Sequence, residues 1–246
     1  MDRLLYISMT GMNRTLGAQA NNTQNVANLS TTGFKATLSN AVSRPIEGDG
    51  HASRVNVVSE VPRPDFTPGA LKTTGNSLDI AVEGQGWIAV QDNNGEPALT
   101  RRGDLRIDAN GLLRTGAGRP VLGNGGPVAV PPYRDITIGS DGTVSIVPLG
   151  QGPEAQAVLD RIMLVQPDNT TLARGPDGLF RAEDGELPPP DAEVTLVSGA
   201  LEASNVDMAQ ALVEMVSISR EFEMQARMLR VANENADASA RLLRFN

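Results

Sequence analysis

Cysteine is absent from all 246 residues, which excludes disulfides, thiol catalysis, iron–sulfur clusters and cysteine-ligated zinc. At this length such staples are not needed, because one sizeable core or two small domains can bury enough surface to fold. Histidine is nearly absent. The single one, His51, stands in a linker bearing glycine and proline, without a second imidazole or a thiol with which to build a catalytic or metal cluster, so no cofactor is expected. Positive charge is in deficit: 21 basic against 29 acidic residues give a net charge of −8. That balance repels phosphate backbones and anionic headgroups, and nucleic acid is not expected as a partner. Long apolar runs are lacking as well. No uncharged stretch approaches the roughly 20 residues that cross a bilayer, so direct membrane insertion is not expected. Asp2, Arg3, Asn13, Arg14 and Gln19 interrupt the first twenty residues, and no small-residue cleavage site follows an unbroken apolar stretch. A cleavable signal peptide is therefore not expected, and passage out of the cytoplasm would need another route.

What is present divides by period. Steps of four and three from Leu5 reach Met9, Met12, Leu16, Gln19, Thr23 and Val26, a helical stripe that grows more polar toward its end. The same steps from Met208 reach Leu212, Met215, Ser219, Phe222, Ala226, Leu229, Asn233, Ala236, Ala240 and Leu243, a seven-residue repeat. Proline and glycine are missing after Gly199, so nothing local breaks this second helix. Its start is expected near Ser204 or Asn205, either of which could cap the first turn, with Asp207 favourable against the helix dipole.

Between about residues 40 and 199 the helical period disappears. Turn signals recur every eight to fifteen residues, among them Asp92-Asn93-Asn94-Gly95, Asn110-Gly111, Asp141-Gly142 and Asp177-Gly178. The pieces between them read as short strands. Leu78, Ile80 and Val82 are expected on one face against Asp79, Ala81 and Glu83; Leu105 and Ile107 alternate with charged residues; Trp87 to Val90 and Val144 to Val147 are apolar runs. Ser43 to Gly69, with Pro45, Pro62, Pro64 and Pro68, reads as an extended connection. The expected fold is mainly β: a central irregular all-β domain, a barrel or sandwich of many short strands, flanked by N- and C-terminal α-helices that pair as a coiled coil in an assembly. The expected divisions are an N-terminal helix with an Asn-rich motif over 1–36, a connector over 37–74, the β-rich domain over 75–199 and the C-terminal helix over 200–246.

Three features of the sequence could carry catalytic or ligand chemistry. Gly84-Gln85-Gly86-Trp87-Ile88-Ala89 fits a relaxed dinucleotide-binding glycine pattern, but that pattern works where a strand runs into a helix. Here a second strand follows, and a hairpin is the better reading. The Asp/Asn-Gly pairs resemble calcium loops, yet the position needed for the first ligand before Gly111 holds Arg106, and hairpin turns fit better. Carboxylates such as Asp79 and Glu83 fall on solvent faces and turns. A ligand-binding or hydrolytic β-domain protein of the cell envelope stays open as the alternative, and it would require a cleft with convergent polar groups. The terminal stripes admit an ordinary core as one reading. Their place at both ends, and the thin, small or polar positions at Ser219, Ala226, Asn233, Ala236 and Ala240, favour packing between molecules.

The opening stripe runs into NNTQNVANLSTTGFKA at 21–36, where four asparagines weaken the helix just as it should end. Residues 23–35, TQNVANLSTTGFK, resemble the A-N-N-L-A-N-V-S-T-x-G-F-K stretch of the bacterial flagellar rod and hook axial proteins. Asn25, Ala27-Asn28, Ser30-Thr31 and Gly33-Phe34-Lys35 are kept, while Thr23-Gln24 stand where the family shows Ala-Asn. GNSLDIAVEGQGW at 75–87 is similar to the family's G-N-x-L-D-x-A-I-x-G-x-G-F, with Trp87 for phenylalanine. Thr100-Arg101-Arg102-Gly103-Asp104, the DANG turn at 108–111 and GALEASNVD at 199–207 match further family patterns in the right order, so the resemblance covers nearly the whole chain.

The resemblance implies a structural subunit of the rod of the flagellar basal body, with the proximal rod favoured by length and by the first residues and the distal rod as the alternative. It implies torque transmission from the membrane ring toward the hook, and no enzymatic activity. The implied partners are other rod proteins, further copies of the chain and the flagellar type III export apparatus. The implied location is the rod in the periplasmic space, reached without a cleaved signal. Interface residues implied by the stripes and the motif are Leu5, Met9, Met12, Leu16, Asn25, Val26, Asn28, Gly33, Phe34, Met208, Leu212, Met215, Phe222, Leu229 and Leu243. The asparagine side chains are expected to bond to neighbouring chains, and Gly33 to turn the chain at backbone angles that other residues avoid.

Overall fold

A computed structural model describes residues 2–45, 55–152, 154–182 and 185–243. His51 lies outside the described residues. The chain divides into two compact units: 1–29, 37–65 and 206–246 form the first, and 30–36 with 66–205 form the second.

The first unit is built on two helices, α1 (Asp2–Ala27) and α2 (Met208–Leu243). α1 stops within the amide-rich stretch, as expected. Asn25 hastens the stop by bonding elsewhere: its Nδ2 donates to the Thr37 carbonyl at 2.9 Å, and its Oδ1 accepts from the Thr37 N–H at 2.8 Å. α2 begins later than the sequence suggested. Asp207 is the cap, its Oδ1 accepting from the N–H groups of Ala209 and Gln210 at 2.7 and 3.0 Å, the second and third residues of the helix. A carboxylate there also meets the positive end of the helix dipole. Among the described residues, no helix is long and apolar enough to cross a membrane.

The connector is not simply extended. Ala41–Pro45 pairs antiparallel with Val55–Ser59, Ala41 opposite Ser59 and Pro45 opposite Val55, and Thr37–Leu38 pairs with Arg63–Pro64. Pro45 is tolerated because it closes an edge strand of a two-stranded ladder. An isolated two-stranded ladder is marginal in water, and this one gains support by lying against α1.

The second unit is mainly β. Its largest sheet has five antiparallel strands in the order Leu164–Val165, Trp87–Gln91, Pro97–Thr100, Phe180–Ala182 and Leu172–Arg174. Tyr133–Ile138, Thr143–Pro148 and Ala157–Arg161 make a three-stranded sheet, and short ladders complete the unit. Two expectations need correction. Ile80–Glu83 pairs with Thr195–Ser198 and not with Trp87–Gln91, so the Gly84–Gly86 link joins two sheets and does not close a hairpin. Ala81, expected on a solvent face, is fully buried beside Ile80 and Val82, because this strand is covered on both sides; such strands read as continuous apolar runs.

The Asp-Gly turns are hairpin turns. Asp92, Asp108, Asp141 and Asp177 each accept at Oδ1 from a backbone N–H two residues on, and Gly95, Gly111, Gly142 and Gly178 take positive φ. These bonds hold the carboxyls below their usual range. At Asp108 the Leu112 N–H leads, with the Arg114 guanidinium next; at Asp177 the Arg181 guanidinium leads. At Asp92 burial pushes upward but is outweighed by the Glu96 N–H, Arg181 and the Asn94 N–H. A depressed carboxyl stabilises the fold fully above its unfolded value of about 3.9 and ceases to do so as pH falls through its lower folded value. Urea unfolding followed by Trp87 fluorescence is therefore expected to give a level midpoint from pH 7 to about pH 4.5 and a steep fall below about pH 4.

Candidate assembly interface

In the first unit the two helices lie side by side and antiparallel. Thr15 and Gly11 of α1 meet Gln225 of α2, Arg14 meets Glu221, and Asn22 meets Ala211. The contacting row of α1 is small or polar: Ser8, Thr15, Asn22 and Asn25 are buried at steps of seven, seven and three. On α2 the buried row is Ala211, Ile218 and Ala232, again at multiples of seven, with Met215, Phe222 and Leu229 half-buried beside it. The expected seven-residue repeat on α2 is thus correct in period, while half of its seam is shifted by one residue, from Leu212 and Ser219 to Ala211 and Ile218. Two seam atoms, Ser8 Oγ and Asn22 Oδ1, are buried without a hydrogen-bond partner, each an unfavourable contribution of about 1–3 kcal/mol.

The seam thus sets a small and polar row of α1 against an apolar row of α2, and several large apolar residues remain outside it. Met9, Leu16, Met208 and Leu212 are exposed, and Met12 and Val26 are half-buried. Leu16 and Phe222, taken from the two expected stripes, come together in one groove with Gln19, Ser219 and Glu223. The side chains of Leu5 and Leu243 lie outside those described. Asparagines expected to face neighbouring chains bond within this one: Asn22 Nδ2 donates to the Ala211 carbonyl at 2.8 Å, Asn25 is doubly bonded to Thr37, and Asn28 Nδ2 donates to the Gln24 carbonyl at 2.9 Å. Asn21 Nδ2 donates to Ser39 Oγ at 2.7 Å.

In the second unit the Gly33-Phe34-Lys35 motif is seated by a buried charge cluster. Lys35 Nζ donates to Glu202 Oε1 at 2.6 Å and to the Thr67 carbonyl at 2.9 Å. Arg101 Nη1 donates to Glu202 Oε2 at 3.2 Å, and its Nη2 donates to the Gly84 carbonyl at 2.7 Å. The Gly69 N–H adds a bond to Glu202 Oε1 at 2.8 Å. All three ionic side chains are at least 97% buried. Burial pulls the Arg101 pKa down, and the neighbouring Glu202 opposes that pull. The guanidinium also lies 5.3 Å from the Trp87 ring centroid.

Gly33 has φ of +65°, and its N–H donates to the Glu202 carbonyl at 2.8 Å. A Cβ there would stand 2.4 Å from the Arg101 carbonyl, so glycine is required both by angle and by space. Phe34 lies under the Arg174 guanidinium at 4.7 Å from the ring centroid, and Arg174 donates to the Lys35 carbonyl. Asn205, expected as a helix cap, instead accepts from the Ala36 N–H at 2.6 Å and donates to the Thr67 carbonyl at 3.1 Å.

Sequence reasoning missed the cluster. Lys35, Arg101 and Glu202 each sit inside a motif quoted above, but nothing in their spacing shows that charges 66 and 101 residues apart share one buried carboxylate. Among the described residues no group of acidic or imidazole side chains is suited to a metal ion.

Comparison with known proteins gives concordant matches at two levels. Residues 197–242 match the family described as flagellar basal body rod FlgEFG protein C-terminal, and residues 81–146 match the flagellar hook protein FlgE/F/G D1 domain. The chain is 37% identical over 249 residues to flagellar basal-body rod protein FlgF of Salmonella typhimurium, covering 99% of both. It is 34% identical to the FlgF protein of Caulobacter vibrioides, covering 100% of both, and 29% identical to flagellar basal-body rod protein FlgG of Bacillus subtilis, covering 95% and 96%.

Proposed function

The chain belongs to the flagellar basal-body rod protein family and is a structural subunit of the rod; from that premise we propose that it forms part of the proximal rod and assembles through its terminal helices. Torque then passes along the rod from the membrane ring toward the hook through packed helices, with no catalytic step. The large apolar residues left outside the helix pair carry this reading. Met9, Leu16, Met208 and Leu212 are between 44% and 57% exposed, a surface that a monomer leaves wet and a tube would cover. The 37% and 34% identity to the FlgF proteins of Salmonella typhimurium and Caulobacter vibrioides, against 29% to the FlgG protein of Bacillus subtilis, favours the proximal over the distal rod. Neighbouring rod proteins and further copies are the partners. The route to the periplasmic space is the flagellar type III export apparatus, without cleavage of a signal.

The test is site-specific photo-cross-linking from Met12 and from Phe222 in assembled basal bodies, with the linked chains identified. The expected product joins this chain to another rod chain. Products confined to single chains would assign both helices to an ordinary internal core and overturn the reading.

A further inference from the structure

The helix pair carries two apolar surfaces that cannot meet within one molecule. The first is the groove of about 340 Å³ between α1 and α2, with Leu16 and Phe222 on its walls. Gln19 Oε1 lies buried there without a donor, and the exposed Glu223 carboxylate stands at the rim. The second is a row on α2 at steps of four and three: Met224, Met228 and Val231, which are 58%, 50% and 47% exposed. Arg220 and Arg227, both exposed, stand one turn to either side of Met224.

We propose that the groove of one copy receives the Met224–Met228–Val231 row of a second copy, with Met228 against Leu16 and Phe222. This rests on the rod-subunit reading and names the partner of that surface. Shape and charge both select this occupant. Unbranched methionines fill an irregular apolar slot with little strain. The groove offers acceptors, the exposed Glu223 carboxylate and the unpartnered Gln19 Oε1, while the row carries exposed donors, Arg220 and Arg227, so the charges of the two surfaces are complementary.

The geometry also fixes the kind of assembly. Ser219 in the groove and Met224 in the row are separated by about 140° around the helix at 3.6 residues per turn, so groove and row face different directions. The contact is between unlike surfaces. Each added copy then leaves one groove and one row free, so the contact builds a helical line or a ring of copies where a two-fold dimer would close on itself.

The absence of native cysteine makes disulfide mapping clean. A chain carrying Leu16→Cys together with Met228→Cys, oxidised in purified basal bodies, is expected to give a ladder of linked copies. An equal mixture of the two single variants is expected to stop at dimers. A second pair at exposed positions, Ser219→Cys with Arg227→Cys, repeats the test where the apolar contact is left intact. Self-linked dimers of Leu16→Cys alone, or a link from residue 16 only to a rod chain of different mass, would overturn the proposal while leaving the rod-subunit reading in place. A swimming strain whose basal bodies lack the chain altogether would overturn that reading itself.

Discussion

Replacing Glu202 with glutamine is expected to destabilise the β unit by about 3–5 kcal/mol, the range found when one partner of a buried ion pair is removed. The cause is geometric. A single carboxylate, 1% exposed, accepts from Lys35, Arg101 and the Gly69 N–H. The amide leaves two buried cations facing a neutral group, and it offers one acceptor oxygen where the carboxylate offered two. Lys35→Met is expected to cost less, because Arg101 and the Gly69 N–H still satisfy the carboxylate. Trp87 is the only tryptophan in the chain and packs on both Arg101 and Phe180, so its fluorescence reports this unit alone. Urea unfolding followed at Trp87 gives the comparison without requiring the whole chain to unfold in one step. An unchanged midpoint for Glu202→Gln would show that the cluster is not an ionic lock.

Placing a charge in the helix groove is expected to have the opposite profile, a large functional loss with little change in stability. Leu16 is 52% exposed, so Leu16→Glu disturbs the free chain little, within about 0.5 kcal/mol as for other surface substitutions. In an assembled rod the same position would be covered, and an unpaired carboxylate buried there is costly at every copy. Swimming in soft agar and the amount of the chain in isolated basal bodies are both expected to fall to the level of a deletion strain, while the helical circular-dichroism melt of the free chain and the Trp87 transition stay in place. Phe222→Glu should lose assembly likewise, with a larger cost to the helix pair because Phe222 is half-buried. Normal swimming with Leu16→Glu would remove the groove from the assembly surface.

Much of the fold was legible because it depends on local pattern. Steps of four and three marked both helices, and Asp-Gly pairs marked the hairpin turns, since those signals act over a few residues. Gly33 was read as a turning point, and its positive φ together with the close Arg101 carbonyl explains why glycine stands there. What the sequence concealed was set by tertiary context. Ala81 looked like a solvent-face residue because the strand is covered on both sides, a fact its neighbours in sequence do not carry. The Ala41–Ser59 pairing was hidden by prolines that an edge strand tolerates. Asn25 is the sharpest case: its amide was expected to serve a neighbouring chain and instead mimics a backbone partner for Thr37, an arrangement that requires knowing where the chain returns. The Lys35–Glu202–Arg101 cluster was invisible for the same reason, since charge pairing across long separations leaves no period.

The division of labour between the two units is tested most directly by a chain lacking residues 207–246, assayed by Trp87 fluorescence and by its presence in purified basal bodies. The β unit ends at Asn205 and has its own core, so its unfolding transition is predicted to persist. With α2 gone, the truncated chain is predicted to be missing from basal bodies and the strain not to swim. A swimming strain with the truncated chain in its rods would contradict assembly through the helices.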